Sequence, residues 1–432
     1  MKKLAVLFLI VGSIAATAQD TSAPSTAAPT QTVTDNTLTS LAGEFFHGDF
    51  VNYYAFASGV YDSTLQTLQT GAGSSGGFSI GGGVTASKQF SDGILSLNYR
   101  GDYRNYSGGY EAGGTDQYLN LIYSKRLGRR WTISFQEGAG ILFYNSPYFG
   151  NSAGGGIQTN PFSPTTRFLS SSVYLSYRQT ARLTYTLGGS FFLNRYNFPG
   201  AIGSTGGIFS ASASYALTGR TNFGGTYSHD NFVFQHGAGN TTLDGGYANL
   251  SHTFGRGWLV NVSAGVTRAH TYGVINYPLS FILAGQTVSG YAVGHYDQTS
   301  EIPTVQGSVY HHFRSFNMSA SAGRGVNPGN GTYLTSTNTY FGGVVSKGFR
   351  NSVLSANANY SRVTSIANAV AQAYSQNGIV ASYSRIIFPH LSAYVTYNYN
   401  RYGALLNYSS ITDNRFIFGV AFSSKNIPLT IY

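Results

Sequence analysis

In Trp258-Leu-Val-Asn-Val-Ser-Ala-Gly-Val266 the residues Trp258, Val260, Val262, Ala264 and Val266 are apolar, while Asn261, Ser263 and Gly265 between them are polar or small. Side chains two apart share a face of an extended strand, so the alternation predicts a strand with one apolar and one polar face. The stretch from Leu391 repeats it: Leu391, Ala393, Val395, Tyr397 and Tyr399 lie on one face, and Ser392, Thr396 and Asn398 on the other. Residues 209–217 behave alike. In the last such strand, which begins at Arg415, the apolar face carries Phe416, Phe418, Val420 and Phe422.

Short polar turns divide the strands. Leu127-Gly-Arg-Arg-Trp131 sets the form, with an apolar anchor, a tight turn and then a new alternating strand through Ile133 and Phe135. The form recurs at Phe90-Ser-Asp-Gly-Ile94, Leu217-Thr-Gly-Arg-Thr221, Phe254-Gly-Arg-Gly-Trp258, Phe313-Arg-Ser-Phe316, Phe349-Arg-Asn-Ser-Val353 and Phe388-Pro-His-Leu391, with a weaker copy at Gln179-Thr-Ala-Arg-Leu183. Most turns are about 40 residues apart, which suits two membrane-length strands and one longer loop. The longer connections, rich in Gly, Asn, Ser and Thr, fall at residues 107–114, 199–206, 237–242, 328–331, 365–375 and 403–414, and the two longest at 145–167 and 271–300. The first strand covers residues 50–62 and is followed by a polar connection through residue 75. Short and long connections alternate throughout, so one end of the sheet carries turns and the other carries loops. Nine hairpins predict 18 strands, with 16 as the alternative count.

The first 18 residues have the form of a secretory signal. Lys2 and Lys3 precede the apolar run from Leu4 to Ile10, and Ala16-Thr-Ala18 supplies the small-x-small cleavage pattern. Residues 19–48 are rich in Ser, Thr, Pro and Ala, lack apolar periodicity and read as a flexible leader. Residues 49–432 are then the strand-bearing domain.

Composition narrows the class. There is no cysteine, which excludes a disulfide scaffold or thiol site. Charged residues make up 9% of the chain and aromatics 15%, with 34 Tyr, 29 Phe and 55 Gly. So low a charge content suits a chain that presents an uncharged band to lipid. The formal charge of +10 is scattered among turns and strand ends without a clustered stripe, and nucleic acid is not expected as a partner.

Alternation alone does not separate a soluble sandwich from a membrane barrel. Three features favour the barrel. Trp131 and Trp258 each follow a short turn, where an interfacial aromatic belt would lie. Tyr103, Tyr106, Tyr144, Tyr399 and Tyr402 gather at the opposite strand ends. The last strand is strongly aromatic on one face, and the chain stops at Tyr432. A closed barrel satisfies every backbone group in lipid, which an open sheet cannot do. The expected fold is all-β: a transmembrane antiparallel up-and-down barrel.

With its signal segment, hairpin series and aromatic C-terminus, the chain resembles the porin-like outer-membrane β-barrel proteins of diderm bacteria from Asp49 to Tyr432. The resemblance is architectural. It implies location in the outer membrane, contact with outer-membrane lipid, insertion by the barrel-assembly machinery, passage of small solutes and often a homotrimer. In that class a C-terminal strand ending in an aromatic residue is the insertion signal. Phe418, Val420, Phe422 and Tyr432 are similar to it, although Lys425-Asn-Ile-Pro428 intervenes.

Candidate chemistry is sparse. Arg100, Asp102 and Arg104 share the polar face of one strand, and Arg178 is a similar case. They suit either a selective constriction or an Arg–Asp network that braces the wall. Residues 271–300 form the most apolar connection, with Phe281, Ile282 and Leu283 near its middle. Such a loop would either fold into the mouth or cover the rim, and on the first reading deleting residues 276–289 raises conductance. His311 and His312 are adjacent and so point to opposite faces, and no spacing suits a metal. Ser228-His229 and Ser251-His252 are likewise split between faces, and there is no nucleophile elbow or phosphate loop. No cofactor or enzymatic activity is expected. The function expected is a passive channel for small hydrophilic solutes or ions; the alternatives are a non-conducting adhesion barrel and, more remotely, an outer-membrane enzyme.

Overall fold

The computed structural model describes residues 49–67, 70–107, 113–143, 165–197, 201–255, 257–283, 286–313, 316–328, 334–366, 373–403, 411–424 and 427–428. Eighteen strands form the wall: β1 (Phe50–Thr67), β2 (Thr70–Gln89), β3 (Gly93–Tyr106), β4 (Gly113–Leu127), β5 (Trp131–Phe143), β6 (Thr165–Arg178), β7 (Leu183–Tyr196), β8 (Ser204–Thr218), β9 (Thr221–Phe234), β10 (Gly239–Phe254), β11 (Trp258–Leu283), β12 (Gln286–His312), β13 (Phe316–Pro328), β14 (Thr335–Gly348), β15 (Ser352–Ser365), β16 (Ala373–Phe388), β17 (Leu391–Tyr402) and β18 (Ile411–Ser423). Every strand pairs antiparallel with its neighbours in sequence, and β1 pairs with β18 from Tyr54↔Ser423 to Asp62↔Arg415. The sheet therefore closes on itself as an up-and-down barrel of 18 strands. A two-residue β19 (Ile427–Pro428) adds to Phe50–Val51 beside the seam.

All eight turns read from the sequence separate strands at one end of the barrel. Gly128 (φ +86°) and Gly257 (φ +103°) adopt the left-handed conformation that these tight turns require. Just outside the wall at this end, Asp49 accepts hydrogen bonds from Lys88 and the backbone N–H of Gln89, which hold its carboxyl below the usual carboxylate pKa.

Two connections differ most from expectation, and β10 begins at Gly239, inside the expected connection 237–242. β1 and β2 continue past residue 62 as a bulged ladder to Thr67↔Thr70, so most of the expected polar connection is strand. Residues 271–300 are not a loop: β11 and β12 stay paired to Leu283↔Gln286. The ladder from β10 stops at Gly273 and the ladder to β13 stops at Val305, so β11 and β12 continue beyond as a two-stranded ribbon. Proline marks the departure. Pro303 lies two residues beyond Val305, and Pro278 lies in the ribbon, where the outer edge of β11 has no partner. Such open edges tolerate a residue without an N–H donor. Phe281, Ile282 and Leu283 therefore belong to this ribbon.

The wall sorts its side chains as alternation predicts. Outward positions include Val262, Val266, Val395, Leu187, Phe209 and Phe223, all exposed on the exterior. Phe416, Phe418, Val420 and Phe422 also face out, and the Phe418 ring covers Gly59 across the seam, where a Cβ would come within 2.4 Å of it. Trp131 and Trp258 open β5 and β11 on the exterior, against Tyr177 (ring centroids 4.6 Å apart) and His311 (4.1 Å). The tyrosines of the loop end divide: Tyr103 faces out, whereas Tyr106 and Tyr402 are buried inside. Tyr144 and Tyr432 lie outside the described residues.

A charged residue interrupts the outward apolar band. Glu137 is paired in register with Leu121 and Ser171 and sits between Phe135 and Ala139 on its own face. A carboxylate there opposes insertion. Glu137→Leu is expected to raise stability by about 1 kcal/mol, measured as a higher temperature for loss of the compact gel form in detergent.

Candidate lumenal site

Alternation places Ser96, Asn98, Arg100, Asp102, Arg104 and Tyr106 of β3 on the inner face, next to Asp116 of β4 and Ser79 of β2. Closure of the barrel brings Asp62 of β1 and Asp413 and Arg415 of β18 to the same stretch of wall. Arg104 Nη2 donates to Asp116 Oδ2 at 3.1 Å and lies 3.5 Å from Asp102 Oδ2. Asp102 also accepts from Ser79 Oγ at 3.3 Å. Asp116 accepts the backbone N–H of Phe143, which ties β4 to the end of β5. Arg415 donates through Nε at 2.9 Å and Nη2 at 2.8 Å to Asp62 Oδ2, with Asp413 at 3.9 Å. Arg100 lies over the Phe56 ring, its Cζ 4.7 Å from the centroid.

Three arginines and four aspartates thus alternate across β18 to β4, all buried. Removing such charges from water is costly, and only close opposite charges offset that cost. The sequence reading identified Arg100, Asp102 and Arg104 but missed Asp62, Asp116, Asp413 and Arg415. Arg178 does not join them. It lies at the turn end of β6, paired in register with Thr184.

The wall from β7 to β12 is different. Phe192, Phe232, Leu243, Ala269 and Ile302 form a buried apolar cluster, with Ile208, Val326 and Ile366 packed against it. Phe192 and Phe232 are in ring contact, with centroids 5.2 Å apart. Beside them Thr241 of β10, Thr271 of β11 and Thr335 at the start of β14 form a buried hydroxyl trio, with Thr241 and Thr335 2.6 Å apart. Thr335 meets a strand four places away in the wall, and Val326 and Ile366 come from the ends of β13 and β15. The loop ends of β13 to β15 therefore lean across the interior onto β10 and β11. This interior packing is built from residues the sequence reading did not select. Its trace in the sequence is Phe232-Val-Phe234, which is apolar on both faces.

Toward the turns the interior is open. Ile94 and Ile122 face inward yet are 41% and 38% exposed. Several lumenal rings lie flat over cross-strand glycines: Tyr174 over Gly188, Tyr247 over Gly265 and Tyr340 over Gly323. A Cβ on these glycines would come within 2.8 Å of the ring. Aromatic rings seated on glycine stiffen the sheet and do not project across the lumen. The interior thus presents exposed side chains toward the turn end and, toward the loop end, a buried charged network on β18 to β4 and a buried apolar cluster on β7 to β12.

No family model matches this chain, and no curated protein matches it. Solved structures do match over most of its length. OpdO of Pseudomonas aeruginosa is 10% identical, with 88% of this chain and 98% of that one covered and a TM-score of 0.41. A BenF-like porin from Pseudomonas fluorescens Pf-5 is 11% identical, with 87% and 99% covered and a TM-score of 0.43. OccAB4 of Acinetobacter baumannii is 10% identical, with 88% and 99% covered and a TM-score of 0.44. The barrel assignment rests on this chain's own closed ladder.

Proposed function

We propose that the chain is an outer-membrane channel through which small hydrophilic solutes diffuse passively, exported by a cleaved signal at residues 1–18. The observation that carries this is the closed barrel of 18 strands, with a polar, partly charged inner face and an apolar outer one. Barrels of this size enclose enough space for an aqueous passage. The exterior apolar band and the Trp131 and Trp258 positions support a bilayer setting. The selecting groups would be Arg100, Asp102 and Arg104 on the inner face of β3. Arg178 would act only at the turn-side entrance.

Planar-bilayer recording of the refolded protein tests this. Unitary current steps are expected, and Phe232→Ala should increase their size by removing bulk from the apolar cluster at the loop end. A folded barrel that never conducts would remove the channel reading and turn attention to the ribbon of β11 and β12 as a binding surface. The ribbon loses no ladder to β10 or β13 when shortened. Deleting residues 276–289 is therefore expected to leave both folding and conductance unchanged. A rise in conductance would return the constricting role to Phe281, Ile282 and Leu283.

A further inference from the structure

Two long stretches of the chain hold no acidic residue: none occurs between Glu137 and Asp230, and none between Glu301 and Asp413. These stretches supply β6 to β8 and β13 to β17. Arg167 of β6 and Arg195 of β7 are direct cross-strand partners, and both are exposed. They share the parity of Leu169, Val173, Leu187 and Phe191, so they stand on the exterior above the apolar band. Like charges directly opposite one another destabilise a sheet unless something lies between them. Neither guanidinium has a carboxylate partner among the described residues. On the other acid-free sector, Arg401 also faces out and is exposed.

Arg167 and Arg195 lie 11 and 12 residues along their strands from the turn end. At ~3.3 Å per residue and a tilt of 35–45°, that is roughly 26–32 Å above it, at the outer boundary of an apolar band about 25 Å tall. The remaining sector neutralises itself. His229 bonds Asp244 at 2.8 Å, His270 bonds Asp297 at 2.7 Å, and Arg268 is paired in register with both Asp244 and Glu301.

We infer that Arg167 and Arg195 form a binding surface for the phosphate groups of an outer-leaflet glycolipid. The guanidinium fork matches phosphate oxygens in a bidentate geometry, and one phosphate between Arg167 and Arg195 turns their repulsion into attraction. The inference rests on the barrel standing in the outer membrane and is independent of whether it conducts.

Lipid binding to the refolded full chain in detergent micelles tests it, read as the rise in the temperature at which the compact gel form is lost. The probes are bisphosphorylated lipid A, the same lipid with its phosphates removed, and inorganic phosphate. Lipid A is expected to raise the midpoint, and its dephosphorylated form is not. R167Q/R195Q should weaken apparent lipid affinity by about tenfold or more, the effect of losing charge-assisted bonds. The turn-side variant K125Q should not weaken it. Equal stabilisation by the dephosphorylated lipid overturns the inference and needs no variant to fold. So does unchanged affinity in R167Q/R195Q, or a full shift from inorganic phosphate alone, which would mark a site for soluble anions.

Discussion

Arg415→Ala is expected to lower the stability of the barrel by about 3–5 kcal/mol, the range for removing one partner of a buried ion pair. Arg415 and Asp62 are register partners in the ladder between β1 and β18. Both side chains are 1% exposed, and two donors of the guanidinium converge on one carboxylate oxygen. The setting makes the loss larger than the pair alone would suggest. Every other ladder in the wall joins strands that follow one another in sequence, whereas this one joins residues 353 positions apart. Closing so long a span carries an entropic cost that local turns cannot offset, so the seam depends on the contacts within it. Without the guanidinium, Asp62 and Asp413 remain as buried carboxylates with no cation between them. Chemical unfolding in micelles measures the change. The double variant D62A/R415A should recover part of the loss. If the two single losses simply add, the pair is not coupled and the seam is held by its apolar contacts.

Much of this architecture is legible in the sequence, and the failures have physical causes. The eight turns and the faces of β11, β17 and β18 could be read because period-2 alternation is a local property. Trp258 and Val260 need no distant partner to declare their face. The β11–β12 ribbon was unreadable for the opposite reason. Its stability comes from backbone pairing along an open edge, which accepts Pro278 and Pro303, and proline inside a run otherwise argues against a strand. Glycine and serine disguised the continuation of β1 and β2 in the same way.

The charged wall was half legible. Arg100, Asp102 and Arg104 announce themselves because they share one strand face. Asp62, Asp116 and Arg415 lie on other strands, and only register and closure bring them together. The apolar cluster was hidden by ambiguity: in Phe232-Val-Phe234 both faces are apolar, so the pattern does not reveal that Phe232 points inward and Val233 outward.

Arg104→Gln is expected to make the channel markedly more cation-selective. Arg104 is shared between Asp116 at 3.1 Å and Asp102 at 3.5 Å, so its removal leaves two carboxylates on the lumenal wall with no cation between them. A unit charge ~8 Å from the ion path, at an effective dielectric of roughly 40–80, shifts the energy of a monovalent ion by about 0.5–1 kcal/mol. The shift has opposite sign for cations and anions, so the cation-to-anion permeability ratio should rise roughly 5- to 30-fold. Reversal potential across a salt gradient reads this directly. The two roles open to this group, bracing the wall and selecting ions, separate in the double variant R104Q/D116N. That variant lacks the ion pair, as R104Q does, but removes one negative charge along with the positive one. If the group selects ions, its reversal potential returns toward that of the unaltered protein. If Arg104 only braces the wall, R104Q lowers stability and leaves the reversal potential where it was.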